Sequence, residues 1–481
     1  MKGFSRNGLK GNSLKVLTEE EVLEIHQKSL KILAEGGIQV RDKEVASLLQ
    51  GKGAVVVPGS DIIRIPEELV EDALKKAPST FSLYDRVGEE RMLLGGEEVY
   101  ARVPGGATKY LDPVEGKKRT PTLEDVANII KVADALPNIA GVSVFPTVPG
   151  DVPIEKVDIF SFETAVKNTT KPLFYVCHNE ALLDEILEMA ALIKGGWDNL
   201  QEKPFLTVLV EASPPLKIGN QQLTVLKKFA AAGLPVMLHS HHIAGLSCPV
   251  TLASEVLLTN TEMLALTVIS QSLQPGLPVI RGMSSSVPNM KNVLNLSGAI
   301  EIGLLAVAMS QMARFYRIPS SMSSGTDSKL PDAQASIERL FTSLPAVLGM
   351  TDLINITTID TKMCFSLEQL VIDNEIMEMI GRYLRGIQVN KDTLAVEEIL
   401  SVGPGGSYLT SMVPHTMKHH RKELQTSSIF DRDSGVNWEK SGGKDLQSRA
   451  RMEALRLIKE HQPLKLPETL EKSLESIIQR A

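Results

Sequence analysis

Polar and titratable side chains recur in this sequence directly after short apolar runs that are rich in β-branched residues. The runs include NIAGVSVFP, PLFYVCH, PFLTVLVEA, LPVMLHS, LPVIRGMS and LINITTI. The residues at or just beyond their ends are Phe145, His178, Glu211, His239 with His241 and His242, Arg281, and Asp360. Because the chemistry of parallel barrels lies where strands end and helices begin, we expect these side chains to share one rim.

The segment GTDSKLPDAQASIERL (325–340) adds the densest group of polar side chains, between two apolar segments. It contains Asp327, Lys329, Asp332, Gln334 and Glu338. We expect the first part to be a loop at the barrel mouth, with Gln334 and Glu338 one turn apart on the following helix. An alternative for Asp332 and Asp327 is helix capping, because Asp is a favoured N-cap residue.

The cluster LHSHH has the residue types of a metal site, since His239 and His241 lie on the same side of an extended strand. No third ligand follows at a typical spacing. One open hypothesis is therefore a metal-dependent hydrolase that uses His239, His241 and an acid such as Asp327. The main expectation is that no metal is tightly bound.

The elements that must position these residues alternate between strands and helices from residue 121 onward. Strands separated by helices of 10–20 residues predict parallel βαβ units, here about seven, with an eighth strand near 363–371. We predict a (β/α)₈ barrel at 121–400, N-terminal helices and hairpins at 1–120, and a helical extension at 401–481. No GxGxxG opens the first unit, which argues against a dinucleotide-binding fold.

Composition places the chain among ordinary globular proteins. It has 481 residues, 43% of them hydrophobic, and a net charge of −7 with both signs mixed along the chain. Cys177, Cys248 and Cys364 are far apart, which disfavours a disulfide framework. No signal peptide or membrane span is predicted. We expect a cytoplasmic protein that binds neither nucleic acid nor membrane, and that forms a homo-oligomer.

Several stretches, taken together, carry a resemblance to a known family. They are LTEEEVLEIHQKSLKILAEGGIQV, GGATKYLDPVEGKKRTPTLEDV, AGLSCPVTLASEVLLTNTEMLA, GTDSKLPDAQASIERL, FSLEQLVIDNEIMEMIGRYLRGI and VGPGGSYLTSMVPHTMKHHRKEL. The chain resembles the trimethylamine methyltransferase family, corrinoid-dependent methyltransferases that act on methylated amines. Its residues are all standard, so it is similar to the branch without pyrrolysine. Members of that branch demethylate quaternary amines such as glycine betaine, proline betaine and carnitine.

The resemblance implies methyl transfer from a quaternary nitrogen, with glycine betaine as the expected substrate, to the Co(I) of a separate corrinoid protein. Co(I) is a strong nucleophile, and the departing tertiary amine is neutral, so neither a protein nucleophile nor a general acid is required. The protein then has to hold the N–CH₃ bond in line with cobalt, exclude water and recognise the substrate. The cobalt cofactor arrives with the partner protein.

Within that resemblance the rim residues receive provisional roles. Arg281 is the predicted partner of the substrate carboxylate, because Arg forms bidentate bonds with carboxylates; a salt bridge to Asp327 is the alternative. The other expected substrate contacts are Glu211, His178, Tyr175, Phe145, Phe365, Asp360 and Tyr408. The residues expected to face the corrin are Gly245, Ser247, Asp327, Lys329, Asp332, Gln334, His239 and His241. A barrel that binds betaine without turnover is a third hypothesis.

Overall fold

The computed structural model describes residues 9–10, 14–408 and 413–481. Its centre is a closed barrel of eight parallel strands. The strands are β1 (Glu98–Val103), β2 (Ile139–Ser143), β3 (Leu173–Val176), β4 (Leu206–Glu211), β5 (Val236–Ile243), β6 (Val279–Asn289), β7 (Ser320–Ser323) and β8 (Leu353–Asn355). The barrel closes where β8 pairs with β1, with Asn355 opposite Arg102.

One main helix follows each strand and packs outside the barrel. The helices are α1 (Leu123–Ala135), α2 (Val157–Asn168), α3 (Leu183–Lys194), α4 (Asn220–Ala231), α5 (Leu252–Leu273), α6 (Ile300–Tyr316), α7 (Ala333–Leu348) and α8 (Leu367–Leu384). A short helix, Trp197–Glu202, follows α3. In the described part of the chain, only α5 is long and apolar enough to cross a membrane, and 72% of its most apolar window is buried inside the fold. Helix α5 therefore packs as a core helix of the barrel.

The predicted (β/α)₈ barrel is confirmed, but two of its strands were assigned wrongly. The first strand, β1, begins at Glu98, within the region predicted to hold only hairpins, so the barrel starts before the boundary at residue 120. The predicted eighth strand near 363–371 is wrong. Residues Cys364–Ser366 belong to a small separate sheet, and α8 begins at Leu367. The segment GTDSKLPD therefore follows the seventh strand.

The N-terminal region covers one side and the bottom of the barrel. Helix Glu19–Lys31 begins with the predicted capping box, in which Thr18 and Glu21 exchange hydrogen bonds. Helices Lys43–Gly51 and Glu67–Lys76 follow. A hairpin of Phe81–Tyr84 and Glu90–Leu94 inserts apolar side chains among those inside the barrel. This hairpin therefore fills the bottom of the barrel, at the end opposite the carboxyl ends of the strands.

The remaining elements frame the barrel. One four-stranded sheet contains Ile38–Val40, Val55–Val56, Ile62–Arg64 and Lys217–Ile218. A second contains Lys109–Leu111, Lys118–Arg119, Thr358–Ile359 and Cys364–Ser366, and it joins the loops after β1 and β8. Leu9–Lys10 pairs with β1, and Leu294–Leu296 folds back on β6. The predicted helical tail is confirmed by Lys391–Leu394, Val396–Val402, Val413–Glu423, Gly435–Lys440, Leu446–Glu460 and Glu468–Arg480.

Candidate active site

A cavity of about 110 Å³ lies inside the barrel toward the carboxyl ends of the strands. It is far smaller than the ~300–1,000 Å³ typical of sites for drug-sized ligands, so it suits a compact small molecule. Its lining combines polar groups with a few apolar side chains. The residues are Arg102, Pro104, Gly105, Ser143, Phe174, Tyr175, Val176, Leu209, Met237, His239, Ser284, Ser323, Asn355 and Lys362.

The most unusual group in the lining is the Arg102 side chain, which β1 directs into the barrel. The residue is 3% exposed, and its guanidinium stacks over the Phe174 ring at 4.3 Å. Among the described residues no carboxylate pairs with it; Nη2 reaches only the Met237 sulfur, at 3.4 Å, and Nε is buried without a partner. Burial lowers the pKa of Arg102 to about 9. A buried cation without a counter-ion is costly, so this group is suited to receive an anion from a ligand.

A chain of hydrogen bonds follows the wall of the cavity from β8 to β4. The Asn355 amide donates to Ser323 at 3.2 Å, and the Ser323 and Ser284 hydroxyls are 2.6 Å apart. The Ser284 hydroxyl lies 3.1 Å from His239 Nε2, and His239 Nδ1 lies 3.2 Å from Glu211. With a neutral imidazole, every donor in the chain points toward Glu211. The chain therefore fixes His239 and leaves Asn355 Oδ1 buried, with no hydrogen-bond partner among the residues that the structure describes.

Glu211 ends β4 at the mouth of the barrel, above the cavity. Burial alone raises the pKa of a carboxyl, but the hydrogen bond with His239 and the nearby charge of Lys362 outweigh it, so the pKa of Glu211 lies below its ordinary value. Neighbouring His241 bonds to Ser286 at 3.0 Å, and burial beside Lys362 lowers its pKa to about 3. Glu211 is thus ionised at neutral pH, whereas His241 is neutral.

Lys362 is the second cation of the cavity. Its Nζ is buried and, among the described residues, has no hydrogen-bond partner. Burial lowers the pKa of Lys362 to about 8. The lysine sits on a short loop after β8 in which Asp360, Thr361 and Lys362 all have left-handed backbones, with φ of 53°, 53° and 70°. Such conformations are costly for residues with a Cβ and persist only where surrounding contacts impose them.

The polar junction at 325–332 supplies those contacts. The Asp360 and Thr361 amides donate to the carbonyls of Ser328 and Thr326 at 2.7 and 3.0 Å. The Thr361 hydroxyl donates to Asp327 at 3.0 Å, and Asp327 also accepts from the backbone amides of residues 297 and 298. Asp327 therefore joins the loops after β6, β7 and β8. The polar residues of this segment hold the loop that presents Lys362.

Arg281 does not lie where the sequence placed it. Its side chain leaves the barrel wall on the outer face, donates to Asn260 of α5 at 2.7 Å and stacks over Tyr316 of α6 at 4.7 Å. It does not line the cavity, and Asp327 is not its partner in the described structure. Burial lowers the pKa of Arg281 to about 10. The predicted carboxylate contact is thus corrected: Arg102 faces the cavity and Arg281 faces the helices.

The aromatic residues predicted to surround the substrate are mostly core residues. Phe145 and Tyr175 stack with centroids 6.2 Å apart, and Tyr175 continues to Phe229 of α4 at 6.4 Å. The Tyr175 hydroxyl donates to Asp158, outside the barrel. Phe365 is fully buried in the core, in the small sheet. Of these predicted aromatic residues, only Tyr175 contributes to the cavity lining. Phe174, which was not predicted, places its ring in the cavity wall.

Three further predicted contacts lie outside the cavity lining. His178 packs edge-on against Phe145 at 4.5 Å, and its backbone amide donates to Asp158. Asp360 forms an ion pair with Lys118 at 2.6 Å. Tyr408 is half exposed in the C-terminal extension and is the last residue described before the gap at 409–412.

Among the residues predicted to face the corrin, several have structural partners. Asp332 caps α7 by accepting from the Ala335 amide at 3.0 Å, which bears out the capping alternative. Gln334 donates to Glu338 at 2.8 Å. Ser247 accepts from the Ile243 amide at 2.9 Å, and Gly245 occupies a turn with φ of 77°. Lys329 reaches the Asp327 carbonyl at 2.6 Å while its side chain remains exposed.

Comparison with known proteins gives the family. The family model described as trimethylamine methyltransferase (MTTB) matches residues 6–481. The chain belongs to the trimethylamine methyltransferase family. Trimethylamine methyltransferase MttB of Desulfitobacterium hafniense is 33% identical over 473 residues, covering 98% of this chain and 95% of the relative. A glycine betaine methyltransferase of another strain of that species is 32% identical over 428 residues, covering 88% of each chain.

The chain is also similar to a solved structure. The crystal structure of the Methanosarcina barkeri monomethylamine methyltransferase, MtmB, is 12% identical with a TM-score of 0.48, covering 92% of this chain and 93% of the other. The sequence matches place this member of the trimethylamine methyltransferase family among enzymes that transfer methyl groups from methylated amines.

Proposed function

We propose that this protein transfers a methyl group from a carboxylate-bearing quaternary amine to the Co(I) of a separate corrinoid protein. Glycine betaine is the first candidate, and dimethylglycine is then the product. The observation that carries the proposal is the buried Arg102 guanidinium, which lines the cavity with no carboxylate of the described chain to pair with it. Trimethylamine has no anionic group that could compensate this charge, whereas a betaine has one.

The charges in and above the cavity also orient such a substrate. The carboxylate pairs with Arg102 inside the barrel, and the quaternary nitrogen then points toward the mouth. Ionised Glu211 lies on that side and attracts the cation. Asn355 Oδ1, which has no partner in the described part of the chain, can accept weak C–H hydrogen bonds from the polarised N-methyl groups.

The reaction needs little more from the chain than this orientation. The corrinoid supplies the attacking electron pair; the C–N bond breaks, and its pair stays on the departing tertiary amine. No proton moves in this step, so none of the titratable groups around the cavity is required as a general acid. The filled barrel bottom and the small cavity exclude water and hold one N–CH₃ bond toward the mouth.

A screen of amines tests the substrate. With free Co(I) cobalamin as acceptor, we expect glycine betaine to be demethylated, proline betaine and carnitine to be slower, and trimethylamine to be inert. The absorbance change on cobalt methylation measures the rate, and dimethylglycine is identified as the product. If trimethylamine reacts and no betaine does, the substrate assignment is wrong. Betaine binding without turnover, even with a reduced corrinoid protein, supports the non-catalytic hypothesis instead.

Access for a corrinoid protein is suggested by the surface of the mouth. Large apolar side chains are exposed on the loops after four successive strands, β5 to β8. This apolar rim consists of Leu246, Val250, Met290, Val293, Leu294, Leu330 and Met363, each 48–80% exposed. Exposed apolar side chains of this kind favour an interaction site. They lie on loops at the carboxyl ends of the strands, where the cobalt must reach the methyl group.

A pair of matched substitutions tests this docking surface. We expect Leu246→Glu to slow methyl transfer to the corrinoid protein by about tenfold or more, because a charge at an apolar interface is desolvated. Transfer to free cobalamin should be unchanged. Ile387→Glu is the control: Ile387 is 87% exposed and follows the end of α8, at the opposite end of the barrel. Equal effects of the two variants in the protein assay would exclude the rim as the docking surface.

The three cysteines are free thiols in the structure. Free thiols and a strongly reducing co-substrate fit a reducing compartment, and we propose that the protein acts in the cytoplasm.

A further inference from the structure

Lys362 remains without a role after the carboxylate has been assigned to Arg102. Its ammonium group is buried, lines the same cavity and has no partner among the described residues. The residue is carried by three successive left-handed positions, which other loops hold in place. Backbone strain of this kind beside a cavity indicates that the loop conformation serves to position the Lys362 side chain rather than to improve packing.

We propose that Lys362 is a second anchor for the substrate carboxylate, and that loss of its proton makes substrate affinity fall at alkaline pH. The inference rests on the proposed function and adds a specificity-determining residue to the same site. Two cations around one carboxylate favour a short betaine, whose anionic and cationic groups are close together. They disfavour quaternary amines that lack an acid group, because these would leave both cations uncompensated.

The groups around Lys362 set the conditions under which it titrates. Glu211 at the end of β4 and Asp327 on the loop after β7 favour its charged form, while Arg339 of α7 opposes it. From β5, His241 lies near enough for Lys362 to depress its pKa. On the cavity side, His239 and Arg102 line the same space. Burial dominates these effects and lowers the pKa of Lys362 to about 8 in the unliganded protein.

The sign of the pH effect follows directly. Below about pH 8 the Lys362 ammonium is charged and can bind the carboxylate directly. Above that pH the neutral amine must take up a proton before it can pair with the carboxylate. Each pH unit above this point therefore weakens binding by up to about tenfold, until the pKa of the complex is reached. With a pKa of about 9, Arg102 is still about half charged near pH 9, so a carboxylate held only by Arg102 would lose about twofold in affinity between pH 7 and pH 9.

Calorimetry with glycine betaine and no corrinoid protein tests the inference. For the unmodified protein we expect the affinity near pH 9 to be about tenfold weaker than near pH 7. Lys362→Gln keeps a polar side chain of similar reach; near pH 7 it should bind about tenfold more weakly, and near pH 9 it should lose only the further factor of about two that belongs to Arg102. Lys362→Arg should bind well at both pH values, because its charge persists.

Lys118→Gln is the control, since it removes an ammonium that pairs with Asp360 on the same loop but does not line the cavity. It should keep the affinity and the pH dependence of the unmodified protein. An unchanged Lys362→Gln, or a pH-independent affinity in the unmodified protein, overturns the role of Lys362. Failure of the unmodified protein to bind any betaine contradicts the proposed function instead. Should Lys362→Gln not fold, the pH dependence of the unmodified protein and of Lys362→Arg decides the question.

Discussion

Replacing Arg102 with Met is expected to lower kcat/KM for glycine betaine by about a hundredfold or more without reducing thermal stability. Removing one partner of a desolvated ion pair costs about 3–5 kcal/mol, because the other charge stays unpaired. In the free enzyme, by contrast, removing the Arg102 charge should not destabilise the fold. Burial without a counter-ion already disfavours the charged guanidinium, as its lowered pKa shows. The variant loses the stacking on Phe174 but also loses an uncompensated charge.

Arg281→Met is the matched control for this experiment. Both arginines lie on barrel strands and both are nearly inaccessible to solvent, at 3% and 1% exposure. Arg281 bonds to Asn260 and stacks on Tyr316, so we expect its replacement to lower the melting temperature and to leave KM for betaine nearly unchanged. A reversed pattern, with Arg281→Met inactive and Arg102→Met active, would return the carboxylate contact to Arg281.

The difference between these arginines shows what the sequence can reveal about this site. A barrel strand presents alternate residues to the inside and the outside, so an error of one position reverses the face. The sequence LPVIRGMS shows that Arg281 lies on a strand but not which face it occupies. In the structure Ser284 lines the cavity and Arg281 contacts the helices. No pattern in eight letters distinguishes these two arrangements in a strand buried on both sides.

The barrel itself was predictable because seven of its strands alternate with long periodic helices. Strand β1 was missed because Gly95-Gly96 and Pro104-Gly105-Gly106 flank it, and such punctuation is typical of hairpins. Its membership depends on pairing with β8, about 250 residues later. Arg102 was missed together with β1, because the run ARVPGG was interpreted as part of a turn-rich segment. Lys362 was missed for a related reason: it precedes what was taken for the eighth strand.

The structure of the junction at 325–332 was predicted only in part from the sequence. The sequence correctly placed its polar residues in a loop at the barrel mouth, and the capping role of Asp332 was among the alternatives. That Asp327 joins three loops could not be deduced, because its partners lie 29–34 positions away on either side. The same network continues inward to a buried ion pair between Arg339 of α7 and Asp373 of α8.

Breaking that ion pair should give the largest loss of stability among single substitutions near the site. Both side chains are completely buried, with Arg339 Nε 3.1 Å from Asp373 Oδ2. Arg339 also donates to the Thr358 carbonyl and the Ser324 hydroxyl, while Asp373 accepts from the Thr357 amide and from Gln369. Arg339→Met leaves the carboxylate buried without its counter-ion. We expect urea unfolding to show a loss of about 3–5 kcal/mol in the free energy of unfolding.

A second substitution separates the cost of the unpaired charge from that of lost packing. Asp373→Asn on the Arg339→Met background removes the charge but keeps an oxygen that can accept from the Thr357 amide. The double variant should therefore regain at least about half of the lost free energy, because most of the penalty belongs to the uncompensated carboxylate. Lys472→Gln, which breaks an exposed ion pair with Glu468, should change stability by less than about 1 kcal/mol. A double variant no more stable than Arg339→Met would show instead that the guanidinium stabilises the loops mainly through Thr358 and Ser324.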